Sequence, residues 1–160
     1  MGTKVRLSMP SFVSFEQTGC GYRAFTTIDA FAPTEKDPEA VLLEAGRLYT
    51  RYVTRIRKLR DQVEAIKAGG RKVPARRMWT IGNTVFELAG QLQQLSLEID
   101  GLYDHLERDV GINRKTLERI ITFRRYIPSR LLIPRTLTWS RCIEGTRRIA
   151  ERIAQGQPLA

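Results

Sequence analysis

A chain of 160 residues with 42% hydrophobic side chains fits one domain built on one core. Its net charge of +10 and pI near 10.2 point to an anionic partner, most often nucleic acid. No apolar run is long enough to cross a bilayer, the N-terminus MGTKVRLSMPSF lacks the continuous apolar segment of a secretory signal, and two isolated cysteines with one histidine do not assemble a zinc site. The expectation is a cytoplasmic protein with reduced Cys20 and Cys142, no metal, no cofactor and no membrane partner.

The charge is segregated along the chain. Residues 1–50 carry five basic and six acidic side chains, and residues 51–80 carry ten against two, net +8. Residues 81–110 carry one against six, net −5, and residues 111–160 carry eleven against three, net +8. Solvated surface charge does not require two basic blocks with an acidic block between them.

Residues 1–36 read as a short extended or β-hairpin arm. KVRLS and SFVSFE alternate as strands do, QTGCG resembles a turn before YRAFTTIDAF, and Pro10 with the nearby aromatics equally suits an extended arm. Such an arm is expected to order against a partner or against a basic helical bundle over residues 37–160. APTEKDP breaks the pattern, with Asp37 as a cap and Pro38 at the first helical position.

From Pro38 to Ala68 a seam of Leu42, Ala45, Tyr49, Tyr52, Ile56, Leu59, Val63 and Ile66 advances in steps of three and four. That is a heptad pattern and predicts a long helix packed at a shallow angle on another. Gly69–Gly70 ends it. Pro74 starts a second seam running Met78, Ile81, Val85, Leu88, Leu92, Leu95, Ile99, Leu102 and Leu106, which predicts one helix over residues 75–110. Two such helices joined by a short loop form a long antiparallel hairpin with arms of about 45 Å. The outward face of the first arm is basic, with Arg47, Arg51, Arg55 and Lys58 in a row and Arg57 and Arg60 alongside. Glu44, Asp61 and Glu64 are too few to balance it. A row of this kind can track a phosphate backbone.

Leu102–Arg125, LYDHLERDVGINRKTLERIITFRR, reads as two short helices joined at Gly111, which supplies a left-handed turn, with Asn113 capping the second. The arrangement is helix-turn-helix-like. Arg114, Lys115, Glu118 and Arg119 would face outward from the second helix, continuing to Arg124 and Arg125. Many such motifs carry a small residue midway along the first helix; here that place falls near Glu107.

Pro128 and Pro134 then bracket a connection in which Leu131, Leu132 and Ile133 are expected to tuck under the core. Thr138 is expected to cap a last helix carrying Trp139, Cys142, Ile143, Ile149 and Ile153 inward and Arg141, Arg147, Arg148 and Arg152 outward. The fold expected from all this is mainly α.

Three short motifs, WTIG at Trp79–Gly82, GINRKTLERIITFRRYIP, and LTWS at Leu137–Ser140, follow one another in an order that resembles the helical N-terminal module of YhcG-type bacterial proteins. The resemblance covers residues 77–143. It departs where Ile127 separates Tyr126 from Pro128 and where Arg141 stands at a position the family usually fills with histidine. In that family a nuclease-like domain follows the module; the chain ends at Ala160 without one, so the resemblance implies a nucleic-acid-associated helical module from bacterial defence or mobile-element biology, without catalysis.

The residues themselves point away from an enzyme. No Gly-rich phosphate loop is present, Ser140 has no neighbouring histidine, and His105 sits on a charged helix face as a surface residue. Glu98, Asp100, Asp104, Glu107 and Asp109 spread around a helix rather than forming a ligand set. The expected function is a non-catalytic nucleic-acid-binding protein that contacts the backbone of DNA or RNA. Arg47, Arg51, Arg55, Lys58, Arg114, Lys115, Arg119, Arg124, Arg125, Arg147 and Arg148 are the contact residues, and other protein subunits are expected partners in a larger nucleoprotein complex. Small basic helical subunits of CRISPR-type interference complexes have this size and charge. Two alternatives stay open: an adaptor whose helical hairpin docks on an acidic protein, and a helix-turn-helix transcriptional regulator.

Overall fold

The computed structural model describes residues 4–6, 14–18, 21–24, 28–30, 38–95, 97–99 and 101–159, with side chains from Ala40 onward except Leu42 and those of 96–100. The expected Asp37 cap and Cys20 lie outside the described residues. The chain is mainly helical.

Near the N-terminus four short strands, β1 (Lys4–Arg6), β2 (Ser14–Thr18), β3 (Gly21–Ala24) and β4 (Ile28–Ala30), pair antiparallel in sequence order. A fifth, β5 (Leu97–Ile99), extends the sheet beyond β4 by pairing Ile99 with Ile28 and Leu97 with Ala30.

Helix α1 (Pro38–Ala68) buries Ala45, Tyr49, Tyr52, Ile56 and Val63 along the expected seam. Gly70, at φ 71°, takes the left-handed conformation just past its end. Helix α2 (Ala75–Gln94) follows and buries Met78, Ile81, Val85, Leu88 and Leu92. Contacts between the two run in opposite chain order: Arg77 donates to Gln62 at 3.0 Å, and Glu87 pairs with Arg55 at 3.5 Å.

The single helix expected over residues 75–110 is not formed. Helix α2 stops at Gln94, β5 intervenes, and Gly101 at φ 65° precedes a separate helix, α3 (Leu102–Val110). The heptad steps through Leu95, Ile99 and Leu102 did not reveal the break, because Leu97 and Ile99 also have the two-residue spacing of a strand. That spacing is used once β4 offers its backbone. Leu106 is still fully buried, so the apolar register survives the interruption.

Past α3, Gly111 at φ 80° donates to Glu107 O at 2.9 Å, and Asn113 Oδ1 accepts from Lys115 N at 2.8 Å. Helix α4 (Arg114–Tyr126) begins there and packs on α2, on α3 and on α6 (Thr146–Ala154). Leu117, Ile120 and Phe123 have no exposure, and the Phe123 and Trp139 rings meet edge to face at 5.5 Å. Gly82 is the close-approach point: a Cβ there would stand 2.9 Å from Ile120 O and from its Cγ2.

The motifs behind the resemblance hold these elements together. Trp79 Nε1 donates at 2.9 Å to the carbonyl of Ile127, which is itself fully buried. Ala75 N donates to Leu137 O at 2.9 Å, and Trp139 N to Val73 O at 2.8 Å, fastening 137–139 across the start of α2. Leaving any one of these three buried donors unpaired would cost roughly 1–3 kcal/mol.

The C-terminal region differs from expectation in three places. Only Ile133 is buried from the Pro128–Pro134 segment; Leu131 and Leu132 are 76% and 45% exposed. The segment forms one 3-10 turn (Arg130–Leu132), too short to turn three consecutive side chains inward, and Ser129 Oγ caps it by accepting from Leu131 N. The single last helix is two, α5 (Trp139–Ile143) and α6, broken at Gly145, which leaves Ile143 exposed. Thr138 makes no capping bond; its hydroxyl lies 3.3 Å from Ser140 Oγ.

Candidate nucleic-acid interface

The eleven expected contact residues divide by what their charge already meets. Arg114 is the most committed. Its Nη1 lies 2.9 Å from Asp104 and its Nε 3.2 Å from Glu118, and these two carboxylates raise its pKa, Glu118 most. The Arg114 N–H is taken as well, by the carboxylate of Glu107. That explains the bulky acid where a small residue was expected: Glu107 caps α4 instead of letting the helices approach.

Arg124 is half-buried and structural. Its Nε donates to Asn83 Oδ1 at 2.9 Å, and its guanidinium lies 5.2 Å from the Trp79 ring centroid and 4.7 Å from that of Phe86. Arg147 pairs with Glu151 at 3.0 Å and stacks over Tyr126 at 5.5 Å; the Glu151 hydrogen bond is the main cause of its raised pKa. Arg55 faces Glu87 and lies 5.0 Å from the Tyr52 ring centroid.

Arg47, Arg51, Lys58, Lys115, Arg119, Arg125 and Arg148 are exposed, and among the described residues none of these side chains has a hydrogen bond or ion pair. Arg47 and Arg51 flank a cavity of about 430 Å³ with Glu44, Gln91 and Gln94, and Arg51 also lies 6.0 Å from the Tyr52 ring centroid. The structure therefore brings Arg47, Arg51 and Lys58 together on α1 and sets Lys115, Arg119 and Arg125 apart on α4.

Flanking arginines of the first block turn inward rather than out. Arg57 Nε donates to Asp109 O, and Arg60 donates to Val110 O and pairs with Asp61 at 2.7 Å, so both tie α1 to the end of α3. Beside them Tyr49 donates to Asp109 Oδ2 at 2.6 Å. Burial and that bond push the Tyr49 hydroxyl far up, while Asp109 is held low because Tyr49 and Arg108 outweigh the effect of its own burial. The end of α3 thus has a structural use: its backbone carbonyls and the Asp109 carboxylate anchor α1.

A further arginine group was not foreseen. Arg76, Arg77, Arg130 and Arg135, with Leu59 and Thr80, line a cavity of about 500 Å³ at the start of α2. Its sequence signal is the Arg76–Arg77 pair just inside a helix start, and two arginines bracketing a Pro-bounded turn fifty residues later. Distance along the chain hid their convergence.

Among the described residues, no group of three His, Cys, Asp or Glu side chains is placed to hold a metal ion. No described helix is long and apolar enough to cross a membrane. Comparison with protein-family models, with curated proteins and with solved structures returns no match.

Proposed function

We propose that the protein binds nucleic acid through backbone phosphates, without catalysing a reaction, as a subunit of a larger nucleoprotein assembly. One observation carries the reading: among the described residues, exposed cations on α1 and α4 stand without carboxylate partners while others close by are paired. Arg47, Arg51 and Lys58 share one outward face of a 31-residue helix, a geometry that can follow a phosphate backbone over several nucleotides. Phosphate contact of this kind is sequence-independent and releases condensed counterions.

The groove-reading alternative has less support. In a helix-turn-helix the first turns of the second helix approach base edges. Here Arg114 is held by Asp104 and Glu118, and the Glu107 carboxylate occupies the start of α4, where it would repel a duplex. Lys115, Arg119 and Arg125 remain for backbone contact. The role of the assembly, in bacterial defence or mobile-element biology, rests on the YhcG-type resemblance, whose Trp79, Gly82 and Trp139 sit at packing contacts between α2, α4 and α5. Exposed Leu131 and Leu132 favour a protein neighbour in addition to nucleic acid, since adjacent exposed leucines suit an interface.

Fluorescence anisotropy with several unrelated single strands and duplexes tests the proposal. All should bind with similar affinity, and log K should fall linearly with log salt concentration. Absence of binding at 50 mM salt, or affinity indifferent to salt, contradicts it.

A further inference from the structure

The cavity at the start of α2 differs from the rest of the basic surface in what its arginines touch. Arg76 Nε donates to the carbonyl of Ile133 at 2.7 Å, and Arg77 Nη1 donates to the side-chain amide oxygen of Gln62 at 3.0 Å. Both acceptors are neutral, so they fix the guanidinium groups without cancelling their charge. Arg76 keeps both terminal nitrogens to donate elsewhere. The guanidinium groups of Arg130 and Arg135 have no hydrogen-bond or ion-pair partner among the described residues. Among the described residues no carboxylate lines the cavity, and α2 has no acidic residue in its first turn, where its own dipole is positive.

Four like charges gathered this way repel one another, and an anion relieves that repulsion. Guanidinium forks match pairs of phosphate oxygens. One internal phosphodiester brings a single negative charge, whereas a terminal phosphate brings nearly two. The volume of about 500 Å³ lies within the range of ligand pockets and exceeds what one phosphate fills.

We infer that Arg76, Arg77, Arg130 and Arg135 form a discrete seat for a terminal or condensed phosphate group, separate from the α1 row. The seat takes a phosphoryl dianion; it rests on the nucleic-acid reading only for the source of that dianion, the phosphorylated end of a strand. Leu59 in its wall lies next to Lys58 in sequence, so a strand held along α1 can reach it with one end.

Calorimetry at fixed ionic strength separates the possibilities, using inorganic pyrophosphate, a 5′-phosphorylated oligonucleotide and the same oligonucleotide with a 5′-hydroxyl. Pyrophosphate should bind saturably, one per chain. Arg130→Gln with Arg135→Gln should weaken it about tenfold or more, since each exchange removes a charge-assisted contact. Arg51→Gln with Lys58→Gln should leave it unchanged. The phosphorylated strand should bind more tightly than the hydroxyl form, and the cavity variant should erase that advantage. Circular dichroism confirms that the exposed substitutions leave the fold intact. No saturable pyrophosphate binding, or equal binding by the folded cavity variant, overturns the inference. Cavity-dependent pyrophosphate binding with no affinity for either strand upholds the seat and rejects nucleic acid as the source of its phosphate.

Discussion

The α3–α4 corner and the outer face of α1 are both rich in basic side chains, yet Arg114 at the first and Arg47, Arg51 and Lys58 on the second hold their charges in different states. At the corner Arg114 meets Asp104 and Glu118, and at the inner edge of α4 Arg124 is enclosed by Asn83, Trp79 and Phe86. On α1, Arg47, Arg51 and Lys58 meet no carboxylate within ion-pair distance among the described residues. The difference teaches that arginine density does not by itself mark a binding surface. What matters is whether an acceptor inside the fold has already taken the charge.

The comparison breaks most visibly through stability. Phe123→Ala removes a fully buried ring from the α4 core and should cost about 3–5 kcal/mol in urea unfolding. A loss below about 1 kcal/mol would mean that α4 is not set in the core and is free to act as a separate reading element. Arg124→Ala should come next, at about 1–3 kcal/mol, because it strips a half-buried hydrogen bond and two aromatic contacts. If that variant lost nucleic-acid affinity with unchanged stability, Arg124 would belong with the binding residues instead.

The Tyr49–Asp109 bond gives a pH test of how the corner is anchored to α1. Asp109 is held below its ordinary value, so its contribution is full above about pH 4 and is lost as the pH falls through the folded-state pKa. Tyr49 is raised, so its contribution is full below about pH 10 and is lost as the pH rises past that. Tyr49→Phe should lower stability by roughly 1–2 kcal/mol at pH 7 and flatten both limbs of the stability curve. An unchanged acid limb would show that Tyr49 does not hold Asp109 low. The smallest effects belong to the surface: Arg51→Ala with Lys58→Ala should leave the melting temperature nearly unchanged, as a calorimetric scan can check.

Much of the helical fold was legible because heptad steps directly encode which face is buried. Tyr49, Ile56, Leu88 and Leu106 are buried as their spacing requires. Gly111 and Asn113 act locally, so their roles could be read from four or five residues. Long-range pairing was not legible. Leu97–Ile99 became a strand because Ile28–Ala30 lies beside it, and neither stretch alone announces the other. The same holds for the basic surfaces. Arg55, Arg114 and Arg147 look identical in sequence to Arg47 and Arg119, and only the placement of Glu87, Asp104 and Glu151 separates them. The four-arginine cavity depends on bringing residues 76–77 against 130–135, which no local pattern encodes.

The most direct test of the account is the salt slope of nucleic-acid binding in two variants measured side by side. Replacing Arg47, Arg51 and Lys58 by Ala should reduce the slope of log K against log salt by about two to three units, equally for unrelated sequences. Replacing Arg114 by Ala should leave the slope close to wild type. The reverse pattern, a slope that survives loss of the α1 cations and falls with Arg114, would contradict the claim that uncompensated charge marks the binding surface.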